Sequence, residues 1–121
     1  MDDAALDALI LTARSIVLAD LSARGVDDAR AVSLLEEACS QRRWWVEQWP
    51  RGADFVAGLV AQDVQDHLST LTRWPICMLV EDGHDELPIH GLHIEPDIGG
   101  PEPVWVCDEV GDLVAPLGHL D

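Results

Sequence analysis

The sequence predicts an α+β protein. An N-terminal three-helix up-down bundle over residues 1–72 is followed by a small three- to four-stranded antiparallel β-module over residues 73–121, packed on the helices as one unit. Three observations predict it. Apolar residues recur at helical spacing through the first 72 residues, which hold only one of seven prolines and three of nine glycines. After Pro75 the pattern shortens to strand-like runs punctuated by turns. Hydrophobic residues make up 48% of the chain, enough for a packed core.

The first helix is expected over residues 3–24. Asp2 or Asp3 caps its start, where a carboxylate suits the positive end of the helix dipole, and Gly25 provides the stop. Leu6, Leu9, Ile10, Ala13, Ile16, Val17 and Leu21 form one stripe. Leu11 and Leu18 fall on another side, one heptad apart, which fits either a central helix covered on two sides or a contact face for a partner. Central packing is the favoured reading, because a small domain must cover its internal helices.

The second helix is expected over residues 27–49, with Asp27 as N-cap and Pro50 as its end. Val32, Leu35, Ala38, Cys39, Trp45, Val46 and Trp49 share a face. Cys39 reads as an inert core thiol. Trp44 points away from that face, either as an anchor for another protein or packed beneath a loop or the C-terminal module, with packing favoured.

The third helix is expected over residues 53–72, with Val56, Leu59, Val60, Val64, Leu68 and Leu71 inward. Asp63 and His67 are one turn apart on the apolar side. Such a pair could serve as a general base or as metal ligands; more often it is a mutually satisfied polar pair.

The β-module begins after Pro75. Strands are expected at 76–80, 87–94, 104–107 and 113–115, with an acidic turn at 81–86 and a Gly/Pro loop at 96–103. A sheet this small needs the helices or a cross-link to hold it.

The chain has 23 acidic residues, seven arginines and no lysine, for a formal net charge of −16. Nothing here supplies a patch to neutralise phosphate, so direct nucleic-acid binding and binding to anionic membranes are excluded. The acidic Met1-Asp2-Asp3 start is unlike a secretory signal, and no apolar run approaches the roughly 20 residues of a bilayer span. The expected setting is soluble and cytoplasmic, where a disulfide framework is disfavoured.

Residues 73–120 concentrate Cys77 and Cys107 with His84, His90, His93 and His119. Thiolate and imidazole donors suit a closed tetrahedral zinc site. The candidate ligands are Cys77, His84, His90 and Cys107, with His93 as an alternative. Their spacing lacks the close Cys-x2-Cys pairs of a strong zinc signal, so a metal-free core is the favoured reading and a Cys77–Cys107 disulfide the least favoured. Strand parity adds a constraint. If Leu92 and Ile94 face the core, His90 does too, and His93 faces the other way unless Gly91 carries a bulge.

Arg73-Trp74-Pro75-Ile76-Cys77, the histidine cluster, Val104-Trp105-Val106-Cys107 and Val114-Ala115-Pro116-Leu117-Gly118 together resemble the tail of short uncharacterised actinobacterial-type proteins. That tail has a degenerate zinc-ribbon look, and the resemblance implies a zinc-ribbon-like β-module without implying an activity. Met78 and Asp108 stand where the pattern has proline, and its first histidine is displaced to His84.

No phosphate-cradling loop, nucleophile elbow or His-Glu-x-x-His sequence is present. The leading functional expectation is a non-enzymatic accessory protein that binds another protein through Trp44 or the Leu11/Leu18 side, a second copy of the chain being a further candidate partner. The alternatives are an acidic inhibitor that imitates nucleic acid and blocks a basic cleft, and a small metal-dependent hydrolase.

Overall fold

A computed structural model describes residues 1–69, 71–78, 90–96 and 100–121. Three helices lead into a three-stranded antiparallel sheet. In chain order these are α1 (Asp3–Ala23), α2 (Ala29–Gln48), a 3₁₀ turn (Pro50–Phe55), α3 (Val56–Leu68), β1 (Leu92–Glu95), β2 (Val104–Cys107) and β3 (Leu113–Pro116).

Local chemistry sets the helix ends. Asp2 accepts a hydrogen bond from the Ala5 amide and starts α1. Gly25, at φ 67°, releases the chain from its end. The cap of α2 is Asp28 rather than the expected Asp27: Asp28 accepts from the Ala31 amide at 2.9 Å, while Asp27 accepts from the Ser22 hydroxyl across the turn. Ion pairs Asp7–Arg43 and Arg14–Glu36 run in opposite order along α1 and α2, so these helices are antiparallel.

The third helix starts later than its periodicity predicts. Pro50 opens a 3₁₀ turn in which Gly52 lies against the Trp45 ring. A Cβ at position 52 would come within 2.4 Å of that ring, so the close approach requires glycine. The helix also stops early. The Ser69 hydroxyl donates to the Asp66 carbonyl, and Leu71 lies beyond the helix, exposed instead of inward.

The sheet order is β1-β2-β3. Leu92 pairs with Cys107 and Ile94 with Trp105 across β1 and β2, and Val104 pairs with Pro116 across β2 and β3. A register shift between Trp105 and Val106 lets both residues be buried. Of the expected strand at 76–80, the described part forms an isolated bridge, Ile76 to Gly91. Leu79 and Val80, the acidic turn at 81–86, and residues 87–89 of the next expected strand lie outside the described residues.

One continuous apolar core joins both halves. Val17, Leu21, Leu35, Val46, Val56, Val60 and Val64 of the helices meet Trp74, Leu92, Ile94, Trp105 and Leu117 of the module. Burying each such side chain stabilises the fold by roughly 1.5–3 kcal/mol. A buried carboxylate sits in this seam. Asp20 accepts hydrogen bonds from the Trp105 indole and from the Gly118 and Leu120 amides. The Trp74 indole donates to the Asp20 carbonyl, and the Trp74 and Trp105 rings meet edge to face at 5.4 Å.

Two expectations for the helix faces are corrected. Leu11 is 62% exposed, so α1 is not covered on both sides; Leu18 is partly buried against the core. Trp49 is 46% exposed rather than inward, because the chain turns at Pro50 and leaves its ring against Trp45 and Phe55.

Candidate metal centre

Three neighbouring chain segments bring Cys77, His90 and Cys107 together. The Cys77 amide donates to the His90 carbonyl at 2.9 Å, and the Leu92 amide donates to the Pro75 carbonyl at 3.0 Å, which fixes residues 75–77 beside residues 90–92. Antiparallel pairing of Leu92 with Cys107 then sets the end of β2 against the same place. The turn after β2 folds back on Cys107, whose amide donates to the Asp112 carbonyl and whose carbonyl accepts from the Gly111 amide. Gly111, at φ 77°, makes that turn without steric cost.

The resulting site holds two thiols and one imidazole. His90 Nε2 and Cys107 Sγ are 3.1 Å apart, and one donor atom from each of the three residues lies within 4.8 Å of the others. Cys107 is fully buried, His90 is 8% exposed, and Cys77 is partly exposed at the rim. The group could hold a metal ion. Donors on one tetrahedral ion with sulfur and nitrogen ligands are about 3.5–3.8 Å apart, so these three residues need to move little to share one. None of the three cysteines is joined in a disulfide.

Parity sorts the histidines as the strand pattern predicts. His90 lies on the buried side with Leu92 and Ile94, and His93 lies on the other. His93 Nδ1 is 2.6 Å from Asp108 and Nε2 is 2.8 Å from Glu95, so both ring nitrogens are occupied away from the thiols. Partial burial works against a positive charge on His93, but the hydrogen bonds to Glu95 and Asp108 outweigh it and hold its pKa above the ordinary imidazole value. His84 lies outside the described residues. His119 is exposed and donates its backbone amide to the Pro116 carbonyl.

The expected Asp63–His67 pair does not form. Both Asp63 carboxylate oxygens accept from the Arg42 guanidinium, at 2.7 and 2.9 Å, and His67 is exposed. A forked guanidinium across the α2–α3 contact makes a stronger, better-oriented partner than an imidazole one turn away. The same pair raises the Arg42 pKa. Cys39 is the buried thiol expected, its pKa pushed up to about 11 by burial and by Glu36 against the opposing effect of Arg14. Trp44 does not pack beneath a loop: it is 62% exposed on α2.

Asp20 is the buried polar residue of the seam that sequence reading missed. A signal was present, since Ala13, Val17 and Asp20 follow helical spacing along the buried stripe. Its partners Trp105, Gly118 and Leu120 lie 85 to 100 positions away and carry no local pattern that announces them.

Residues 6–117 match a domain of unknown function, DUF8819, and the chain belongs to that family. No curated protein and no solved structure matches it. Among the described residues, no helix is long and apolar enough to cross a membrane.

Proposed function

We propose that this member of the DUF8819 family is a non-enzymatic accessory protein that works by binding another protein. The observation that carries the reading is the exposure of Trp44 on the outer side of α2. A large indole left in water is the kind of side chain that anchors a protein interface once a partner covers it. Leu11, equally exposed on the neighbouring helix, supports the same face. It lies at helical spacing between Asp7 and Arg14, whose ion pairs to Arg43 and Glu36 supply a polar rim. A photo-crosslinking residue in place of Trp44, in the native host, is expected to trap one discrete partner, and Leu11→Asp to reduce the adduct. Equal trapping from a distant exposed position, such as Glu109, would sink the idea.

The Cys77–His90–Cys107 group is read as a structural zinc site that fixes the zinc-ribbon-like β-module. Two thiolates and an imidazole are a soft donor set that suits zinc, and the burial of His90 and Cys107 shields it; a closed tetrahedral site needs a fourth ligand, for which the sequence offers His84. Zinc would cross-link residues 75–77, 90–92 and the end of β2, adding to a sheet too small to be stable alone. About one zinc per chain is expected in the purified protein. Cys77→Ser and Cys107→Ser should lose it, and His93→Gln should keep it. A zinc-free native protein whose melting is unchanged by chelator would remove this part of the reading.

A further inference from the structure

A second surface lies where the bundle meets the β-module. Leu9 and Ile16 of α1, Ala57 of α3, and Val104 and Leu117 of the module line an open groove of about 630 Å³. The volume falls within the roughly 300–1,000 Å³ typical of binding sites. Ala53 and Ala57 give it depth, because their short side chains leave the space between α1 and the module unfilled. Next to the lining residue Leu117, Gly118, at φ 91°, packs so tightly that a Cβ there would be 3.0 Å from Ile16.

Two features of the lining select the occupant. Pro101, Pro103 and Pro116 form part of the wall. Proline has a fixed φ and no amide hydrogen, so this wall is stiff and offers a ligand few backbone donors. That disfavours recognition by strand addition and favours apolar side chains. Among the described residues, the ionisable ones that line the groove are Asp54 and Glu102, both exposed carboxylates. The whole chain carries a formal charge of −16, which would steer a cationic partner towards it.

We propose that this groove takes an apolar segment of a partner protein that is flanked by arginine or lysine, with aliphatic side chains between α1 and the module and the cations against Asp54 and Glu102. The inference rests on the protein-binding reading above but on neither the Trp44 face nor the zinc site, so the groove and the Trp44 face are separate contacts.

The test uses the full chain and a synthetic peptide of about ten residues, a leucine-rich centre flanked by arginines, with a counterpart carrying glutamate for arginine. Binding is measured by calorimetry at about 0.15 M salt, and located by amide shifts in nuclear magnetic resonance spectra. The arginine peptide is expected to bind and the glutamate peptide not to. The shifts should fall on Ile16, Ala57 and Leu117. Asp54→Arg with Glu102→Arg should weaken binding about tenfold, whereas Glu37→Arg with Glu109→Arg, the same change in net charge elsewhere, should weaken it less than about twofold. All four positions are exposed, so the fold should survive both pairs of changes. Equal weakening by the two pairs, equal binding of both peptides, shifts confined to other surfaces, or no binding of the arginine peptide would each overturn the proposal. Loss of the Trp44 crosslink with groove binding intact would instead count against the Trp44 face alone.

Discussion

The Trp105 indole donates a hydrogen bond to the Asp20 carboxylate at 2.8 Å, and neither residue has any solvent exposure. The same carboxylate accepts the Gly118 and Leu120 amides at 2.7 and 3.0 Å. One residue of α1 therefore holds β2 and the C-terminal tail together. A buried carboxylate is tolerated only when its oxygens are met by donors, and here three donors converge on it.

Asp20→Ala is expected to cost about 3–5 kcal/mol, because it leaves buried donors without an acceptor. Trp105→Phe should cost less, about 1–3 kcal/mol, since it removes one donor and keeps most of the apolar area. Urea denaturation of the two single variants and the double variant measures both values. The double-variant cycle should give a coupling of about 1–3 kcal/mol. A coupling near zero would mean that the indole and the carboxylate contribute independently.

His93 gives a pH signature of its own, apart from the Cys77–His90–Cys107 group. Its folded-state pKa is raised, so the charged ring is favoured by folding. The stabilisation is fully present below the ordinary imidazole pKa of about 6.5 and is lost as pH rises through the folded-state value. The side chain is 37% exposed, so solvent screening keeps the effect below about 1 kcal/mol. Proton resonance of the ring should titrate above the unfolded reference. His93→Gln should flatten the pH dependence of stability over that range.

Cys39 should resist alkylation in the native protein. With its pKa pushed up to about 11, only about one thiol in a thousand is thiolate at about pH 8, and burial blocks access as well. Mass spectrometry after brief iodoacetamide treatment should find Cys39 unmodified until the protein is unfolded in urea. Rapid native labelling at Cys39 would mean that α1 and α2 separate readily.

Gly52→Ala should destabilise the α2–α3 corner by about 1–3 kcal/mol, because the added methyl meets the Trp45 ring at 2.4 Å while the Trp49 ring limits how far Trp45 can swing. Thermal melting and near-ultraviolet circular dichroism of the tryptophans report it. The variant should lose both stability and part of the aromatic signal; an unchanged spectrum would mean that the ring is free to move aside.

The sequence by itself determined the order of elements. Helical spacing of Leu6, Ala13, Val17 and Leu21, carboxylate caps and the stop at Gly25 are local signals, and local signals survive without a partner. It also determined that His90 and His93 face opposite sides of a strand, because side-chain parity follows from backbone geometry alone. The long-range pairings were decided only in three dimensions. Asp63 chose Arg42 over His67 because α2 and α3 pack side by side, and Trp44 stayed in water because no other element reaches it. The candidate metal centre divides along the same line. Its candidate donors were legible as Cys77, His84, His90 and Cys107, with His93 as an alternative, but the meeting of Cys77, His90 and Cys107 depended on residues 75–77 lying beside residues 90–92 and on Leu92 pairing with Cys107. Asp20 meets Trp105, Gly118 and Leu120 across 85 to 100 positions. Contacts at that separation depend on the whole core forming first, so no pattern within a few residues could announce them.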